Sequence, residues 1–258
     1  MFEPAKNDLL LKGYCIIDDV IPNKLIHDLR KKYLQYFTND ATLTCEEFLS
    51  DSELSGIIFS DRLVTAMSEI IGKNFCLYPD FTLRKNLYIP WHNDTPYLTD
   101  NERLESTEAN MVQASVYLQD NTLDNGGGLD VILGSHHNKP KDEINFLSSQ
   151  MMASKAGSLV LWDSRIWHKS REQTHASLQI PKLAIQWTVS RNTKFSNHFL
   201  SYLKDRILSR RQHVIDINST REINYLNSIL KLNYPSSFSK SHLDVIEKNQ
   251  LNMLTYNF

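Results

Sequence analysis

The spacing of apolar residues predicts mostly helical structure near the N-terminus. Apolar residues recur at helical spacing after Pro22, which can occupy a first helical turn. A second helix is predicted between a cap at Ser60 or Asp61 and a stop at Gly72. One short strand is expected at residues 14–18, where apolar residues follow a glycine.

The middle of the chain is predicted to be rich in short strands. Turn signals such as Asp124-Asn-Gly-Gly-Gly128 and Gly134-Ser135 separate several of them. Many short strands in one block favour a sandwich or barrel over alternating strand and helix units. The strand candidates are residues 75–83, 88–94, 111–118, 129–133, 158–162 and 182–190.

The chain is predicted to be a single domain, 1–258, of mainly β structure with flanking helices. Residues 1–74 form an N-terminal helical support, 75–191 the β core, and 192–258 a helical appendage with a break at residues 235–240. No flexible glycine and serine linker and no internal repeat divides these parts. A chain of this length can bury the core of a sandwich or barrel as one unit.

Composition narrows the class of partner. The 258 residues are 41% hydrophobic and 22% charged, and the formal net charge of −2 gives no reason to expect nucleic acid as a partner. The three cysteines form neither a disulfide framework nor a CxxC metal site, which fits a reducing compartment. No signal peptide pattern and no apolar run near the ~18 residues of a membrane span is present. We therefore expect a soluble, cytoplasmic protein, and its oligomeric state stays open.

The strongest chemical signal is a histidine and an aspartate one residue apart, followed by a distant histidine. His92 and Asp94 end a predicted strand, and His168 follows an apolar strand 74 residues after Asp94. Alternate residues of a strand project to the same side, so His92 and Asp94 can share a ligand while Asn93 points away. Two histidines and one carboxylate form the facial triad that holds Fe(II) and leaves positions open for substrate and oxygen.

Four blocks around these residues resemble the phytanoyl-CoA dioxygenase family of Fe(II)/2-oxoglutarate oxygenases. They are the HxD segment with Pro96-Tyr97, then residues 125–136 ending in Gly-Ser-His136, then residues 157–170 with the D-x-R-x-x-H pattern, and residues 181–186. The resemblance implies a double-stranded β-helix, a jelly roll of the cupin kind, with His92, Asp94 and His168 as iron ligands. It also implies 2-oxoglutarate as cosubstrate and O2 as oxidant, with hydroxylation of a substrate coupled to release of succinate and CO2.

The resemblance also suggests how 2-oxoglutarate is held. The family usually places an arginine on the strand after the second histidine, about eleven residues on, to neutralise the far carboxylate. In this chain the cation on that strand is Lys182, fourteen residues after His168, which implies a three-residue insertion within residues 175–181. Ser170 matches a position where a hydroxyl assists that carboxylate, and Gln113 is a further candidate for the polar wall.

Several neighbouring residues admit more than one interpretation. His136 and His137 are rival ligands, although a structural role for His136 is favoured. Arg84 and Lys85 could meet an acidic substrate, but a solvated turn is the preferred interpretation. Two further expectations concern pairs and clusters: Asp163 and Arg165 as a local ion pair, and two or three of the four tryptophans (Trp91, Trp162, Trp167, Trp187) in the core.

Residues 95–109 follow the HxD segment and are predicted to overhang the metal site as a lid, with Tyr97 nearest the substrate. The acidic balance of this loop argues against a strongly anionic substrate such as a CoA thioester. Asp94 favours hydroxylation over halogenation, because halogenating relatives have a small residue at this position. Three other functions stay open: a cupin-like metal-dependent isomerase or hydrolase without 2-oxoglutarate, a non-catalytic 2-oxoglutarate sensor, and a structural protein.

Overall fold

The computed structural model describes residues 2–37, 41–95, 110–137, 144–171, 180–191, 194–210 and 217–256. The N-terminal part alternates helices with two short strands. Its elements are α1 (Glu3–Lys12), β1 (Tyr14–Ile17), α2 (Asn23–Tyr36), β2 (Ala41–Thr42), α3 (Cys45–Ser50), α4 (Ser52–Ile58) and α5 (Asp61–Ile70). Ser60 caps α5, because its side chain accepts a hydrogen bond from the Leu63 amide.

The remaining strands form the core, and three helices follow them. The strands are β3 (Cys76–Leu77), β4 (Thr82–Lys85), β5 (Met111–Tyr117), β6 (Leu129–Val131), β7 (Gln150–Met151), β8 (Leu159–Asp163), β9 (His168–Ser170) and β10 (Leu183–Ser190). The last elements are α6 (Lys194–Arg210), α7 (Ile217–Lys231), α8 (Lys240–Lys248) and β11 (Asn252–Met253). No helix of the described ranges is long and apolar enough to cross a bilayer.

Two sheets face each other. The larger sheet runs β1-β8-β5-β10, and β10 then pairs with β4 through residues 183–186 and with β3 through residues 189–190. The smaller sheet has the order β7-β6-β9. Strand neighbours are antiparallel except β11 and β3.

Alternation along β10 explains how the sheets and helices pack. Leu183, Ile185 and Trp187 belong to the large core shared with the helices, whereas Ala184 belongs to a second core between the sheets. Successive residues of a strand face opposite ways, so Lys182 and Gln186 share the inner face with Ala184. The inner face of β10 therefore presents polar side chains to the space between the sheets.

A glycine allows the end of the N-terminal helix to pack closely against His136 and Ile166. Gly13 ends α1 in the left-handed region, with φ at 85°. A Cβ on this residue would lie 2.6 Å from Nδ1 of His136 and 2.8 Å from Cδ1 of Ile166. Any larger residue at Gly13 would therefore clash as well as strain the backbone.

Two of the predicted strands differ from the structure. Residues 75–83 contain two strand pieces, β3 and the start of β4, with Pro79 between them, because proline lacks the N–H that a continuous ladder requires. Residues 88–94 form no strand at all. This segment makes a single bridge, between His92 and His168, and Pro90 lies in its middle.

Candidate metal centre and its cavity

The structure brings His92, Asp94 and His168 together. Their ligand atoms all lie within 4.8 Å of one another, and they are the group of three such side chains that the described residues contain. Nε2 of His92 is 3.6 Å from Oδ1 of Asp94, and Nε2 of His168 is 3.5 Å from Oδ2. Ligands in adjacent octahedral positions at about 2.1 Å from a metal lie about 3 Å apart. Each of these two nitrogen–oxygen distances would shorten by about half an ångström for the atoms to share one ion, and the set of ligand atoms, now within 4.8 Å, would draw together.

Backbone hydrogen bonds place the three ligand candidates. His92 and His168 exchange two backbone hydrogen bonds of 2.9 Å, so their side chains leave the backbone at the same level. The Asp94 amide donates to the carbonyl of Ser164 at 2.8 Å, which ties the carboxylate to the turn before β9. The His92–His168 bridge, rather than the predicted strand over residues 88–94, therefore positions these side chains.

The imidazole rings are oriented so that Nε2 faces the shared space. Nδ1 of His92 is 2.7 Å from the Pro90 carbonyl, and Nδ1 of His168 is 3.0 Å from the Ile166 carbonyl. A carbonyl can only accept, so each Nδ1 carries the proton and each Nε2 keeps its lone pair. Burial lowers the pKa of His168 from its ordinary 6.5, which favours the neutral form that binds metals. The donor set fits a divalent metal such as Fe(II).

An open cavity of about 850 Å³ contains the triad at one end. Ser170 and Gln113, both predicted as cosubstrate contacts, line it together with Trp162, whose ring packs on His168 at 5.7 Å. Gln113 is 2.9 Å from the hydroxyl of Thr188. This volume lies within the usual range for small-molecule sites, about 300–1,000 Å³.

Lys182 lies behind the wall of this cavity. Its Nζ is 3.3 Å from the Leu87 carbonyl and 3.4 Å from the Gly128 carbonyl, and the rings of Tyr88 and Tyr117 flank it. The side chain is buried, and no carboxylate of the described residues pairs with it. Burial alone lowers its pKa from 10.5 to about 8. A buried cation without a carboxylate is costly unless a ligand completes it.

A second, largely buried cation lines the same cavity. The preferred prediction for Arg84 was a solvated turn. In the structure Arg84 lies within β4, and its side chain is only 14% exposed. That prediction was wrong because β4 extends two residues past the apolar run and is covered by α7. In the structure Arg84 pairs with Ala184 of β10 and so shares its inner face, a register that the sequence alone does not show.

The other residues singled out in the sequence are not part of the candidate metal site. His136 lies beneath Gly13 with Nε2 3.0 Å from the Leu10 carbonyl, and the triad does not include it. Asp163 and Arg165 form the expected ion pair, with Nη2 of Arg165 2.6 Å from Oδ2 of Asp163. Tyr97 and the predicted lid after residue 95 lie outside the described residues.

The tryptophans divide evenly between core and surface. Trp162 and Trp187 are buried, as expected for core residues. Trp91 and Trp167 are half-buried and both contact Phe146, at 5.2 Å and 5.6 Å between ring centroids. Each of these two tryptophans directly precedes a histidine of the triad.

Fold and site together define a protein with two facing antiparallel sheets and a centre of two histidines and one carboxylate. The model of the phytanoyl-CoA dioxygenase (PhyH) family matches residues 10–177, about two thirds of the chain. The chain therefore belongs to the phytanoyl-CoA dioxygenase family, which confirms the resemblance seen in the sequence. A comparison with curated protein sequences gives no match.

Solved structures share the fold at low sequence identity. The 2-oxoglutarate-dependent non-haem epimerase SnoN from nogalamycin biosynthesis has a TM-score of 0.58 and 14% identity, over 74% of this chain and 84% of its own. HygX from Streptomyces hygroscopicus, with nickel and 2-oxoglutarate bound, has a TM-score of 0.57 and 13% identity, over 74% and 88%. EctD from S. alaskensis, with 2-oxoglutarate and 5-hydroxyectoine, has a TM-score of 0.54 and 16% identity, over 74% and 76%. These likenesses confirm the predicted jelly-roll fold.

Proposed function

We propose that this protein is an Fe(II)/2-oxoglutarate-dependent dioxygenase that hydroxylates a small organic molecule. The observation that carries the proposal is the triad geometry, in which two tethered imidazoles turn Nε2 toward opposite oxygens of Asp94. Membership of the phytanoyl-CoA dioxygenase family supports the same cofactors. So do the iron, nickel and 2-oxoglutarate bound to structural neighbours.

The side chains of this chain would divide the work as follows. His92, Asp94 and His168 would hold the metal, and their neutral imidazoles and single carboxylate leave it a net positive charge. Iron with 2-oxoglutarate and O2 supplies the oxidising chemistry, with succinate and CO2 as coproducts. The buried ring of Trp162 excludes water from one side of His168. Asp94 occupies the position that a halogenating enzyme would leave open.

The cosubstrate contacts are proposed from charge and position. Lys182 would neutralise the far carboxylate of 2-oxoglutarate, with Ser170 donating its hydroxyl and Gln113 offering an amide. Leu129 pairs with Ser170 and directly follows Gly128, whose carbonyl lies 3.4 Å from Nζ of Lys182, so Ser170 and Lys182 lie on one side of the cavity. Tyr88 covers Nζ, so this role requires a shift of the Tyr88 ring when the carboxylate enters.

Hydroxylation is the reaction we favour, and product analysis decides it. One structural neighbour is described as an epimerase, so the fold alone does not select a reaction. A hydroxylase incorporates one atom of ¹⁸O2 into its product, whereas an epimerase returns a product of unchanged composition. The cupin-like isomerase, by contrast, would need no 2-oxoglutarate at all.

The first test is an anaerobic titration of metal-free protein with Fe(II) and 2-oxoglutarate. We expect a visible metal-to-ligand charge-transfer band in the wild type that His92→Ala abolishes. His137→Ala is the matched control, because His137 is an exposed histidine outside the triad, and its band should match that of the wild type. Bound metal without a band would refute the 2-oxoglutarate proposal and favour the cupin-like alternative.

A band without succinate formation in air, across a broad set of substrates, would favour the sensor. Binding of neither metal nor 2-oxoglutarate would leave the structural protein. Succinate formation that depends on His92 and on O2 would establish the enzyme.

A further inference from the structure

Arg84 is a buried guanidinium whose hydrogen-bonding capacity is largely unused. Arginine has five N–H donors and cannot lose its charge. Among the described residues the nearest carboxylate is that of Glu222, 3.8 Å from Nη2 and beyond hydrogen-bond range. Nε of Arg84 is buried and has no hydrogen-bond partner among the described residues. Glu222 and Tyr225 stabilise the charge, yet the unpaired Nε and the long contact to Glu222 leave donors available to a ligand.

The surroundings hold this guanidinium in place at the cavity wall. Its carbon Cζ lies 4.7 Å from the centre of the Tyr225 ring, in a cation–π contact. The Tyr225 hydroxyl in turn donates to the backbone carbonyl of Asp80. Arg84 therefore stacks on a ring whose position is itself fixed, and its group is preorganised rather than free to find solvent.

The other acidic group of this wall is already engaged. Oδ1 of Asp80 accepts from the Thr188 amide at 3.0 Å, and Oδ2 accepts from the Thr188 hydroxyl. Thr188 lies in the part of β10 between the residues that pair with β4 and those that pair with β3, so these bonds supply its partner on that side. Asp80 therefore has a structural role, and Glu222 is the acidic side chain of the described residues closest to Arg84.

Helices α6 and α7 line the same cavity with both apolar and polar side chains. The apolar ones are Phe199, Leu203, Leu226 and Ile229, and the polar ones are Tyr202, Arg206, Glu222 and Tyr225. Both helices follow residue 177 and lie outside the part of the chain that the family model matches. A ligand in this cavity would thus meet Arg84 on the strand side, and apolar side chains together with Arg206 and Glu222 on the helix side.

Resting on the proposed function, we propose that the substrate carries a carboxylate on an apolar body and that Arg84 binds this carboxylate. The planar guanidinium suits bidentate binding of a carboxylate. Lys182 directly precedes β10, and Arg84 lies on the neighbouring strand β4. Lys182 is hydrogen-bonded to Asn86 and Arg84 pairs with Ala184, so both cations lie near the same end of β10. Lys182, behind the cavity wall, would thus serve the cosubstrate, and Arg84, on the wall, would serve the substrate.

The test compares acids with their neutral amides as probes of the compartment. The probes are propanoate, hexanoate and 3-phenylpropanoate, each with its amide, measured by ligand-observed NMR on full-length protein with and without Mn(II) and 2-oxoglutarate. We expect at least one acid to bind the wild type better than its amide. Arg84→Leu should lower that acid's affinity by about tenfold to a hundredfold, the range for a lost hydrogen bond to a charged group.

Two further variants separate ligand binding from folding. Glu222→Gln removes the competing carboxylate, so acid binding should strengthen by a few-fold, whereas a purely structural Arg84–Glu222 pair would give no gain. Lys85→Leu is the matched control, because it removes a neighbouring cation whose Nζ donates to the Phe37 carbonyl at 2.9 Å. We expect it to bind the acids as the wild type does.

Three results would overturn the assignment. One is that no acid binds better than its amide, and another is that Arg84→Leu keeps the preference for acids. The third is that a folded Arg84→Leu loses 2-oxoglutarate binding, which would assign Arg84 to the cosubstrate. Because the acids are also measured without metal, a failure of the iron proposal would show as a missing charge-transfer band and leave the Arg84 result readable.

Discussion

At the scale of single residues, the histidines of the triad depend on two carbonyls. Each Nδ1–H is held by the carbonyl two residues earlier, Pro90 for His92 and Ile166 for His168. Such outer contacts fix the tautomer and the ring orientation of a metal ligand. Proline at position 90 cannot donate a backbone hydrogen bond, which keeps this segment out of a ladder and leaves its carbonyl free to turn toward the imidazole.

As the proposed anchor of 2-oxoglutarate, Lys182 should make the binding of this cosubstrate depend on pH. Its pKa of about 8 means that the amine that would pair with a carboxylate loses its proton as pH rises through 8. We expect the 2-oxoglutarate dissociation constant to be constant below about pH 7 and to rise up to tenfold per pH unit above 8. Titrations of the charge-transfer band between about pH 6.5 and about pH 9.5 measure this dissociation constant.

Lys182→Arg is the matched control for this pH dependence. Arginine stays charged throughout the range, so the affinity of this variant should be nearly flat. An equally steep loss of affinity in Lys182→Arg would assign the effect to another group and remove Lys182 from the cosubstrate site.

The same pKa has the opposite consequence for the ligand-free protein. Because the folded pKa of Lys182 lies below its unfolded value, the unfolded chain binds more protons between about pH 8 and pH 10.5. The lysine therefore destabilises the ligand-free fold at low pH, and this cost disappears as pH rises. Burial of an unpaired cation is the physical cause.

At the scale of elements, a short 3-10 helix braces both segments that carry the triad. The helix spans Phe146–Ser148, and Phe146 packs against Trp91 and Trp167, the residues before His92 and His168. Nζ of Lys169 lies over the Trp91 ring of this cluster, 5.4 Å from its centre. The cluster ties the bridge between the two histidines to a third part of the chain.

We expect Phe146→Ala to weaken metal binding by up to about tenfold, the lower end of the effect of outer contacts on metal affinity. The reason is that both tryptophans lose the ring that sets their position. Leu147→Ala is the matched control, because Leu147 is 96% exposed on the same helix. Fe(II) titration of both variants measures the effect, and equal affinities would show that the cluster does not position the ligands.

Local chemistry explains which elements the sequence predicts well. Ser60 caps α5 as expected, because its hydroxyl competes only for amides a few residues away. The β10 strand starts within one residue of its predicted position, since a long apolar run needs no distant information. Residues 88–94 failed as a strand because a ladder requires a continuous partner, and the sequence does not show that the segment meets β9 only at Ile89 and His92.

The site divides in the same way. His92, Asp94 and His168 could be selected from spacing and from the family resemblance, because metal ligands demand specific residue types. Arg84 could not, because its burial depends on α7 folding back over β4, a contact between parts of the chain that are far apart in sequence. Its misassignment to a turn followed from treating charge as a sign of exposure.

At the scale of the whole molecule, the metal would join parts that are otherwise weakly connected. His168 belongs to the small sheet, whereas His92 and Asp94 lie on a separate segment. Three contacts attach this segment: the His92–His168 bridge, the hydrogen bond from the Ser170 amide to the Ile89 carbonyl, and the hydrogen bond from the Asp94 amide to the Ser164 carbonyl. A ligand that binds only the folded state stabilises it by about 2.7 kcal/mol when present at about 100 times its dissociation constant. For a domain of this size each kcal/mol raises Tm by about 2–4 °C.

We therefore expect Mn(II) with 2-oxoglutarate to raise Tm by about 5–10 °C in thermal unfolding at saturating concentrations. His92→Ala should lose most of this shift, because the remaining two ligands lie on different segments and no longer close the site. Arg84→Leu should keep it, since its guanidinium stacks on Tyr225, away from the triad. An unchanged shift in His92→Ala would mean that the ions bind elsewhere, while a shift lost in Arg84→Leu alone would move 2-oxoglutarate toward the helices.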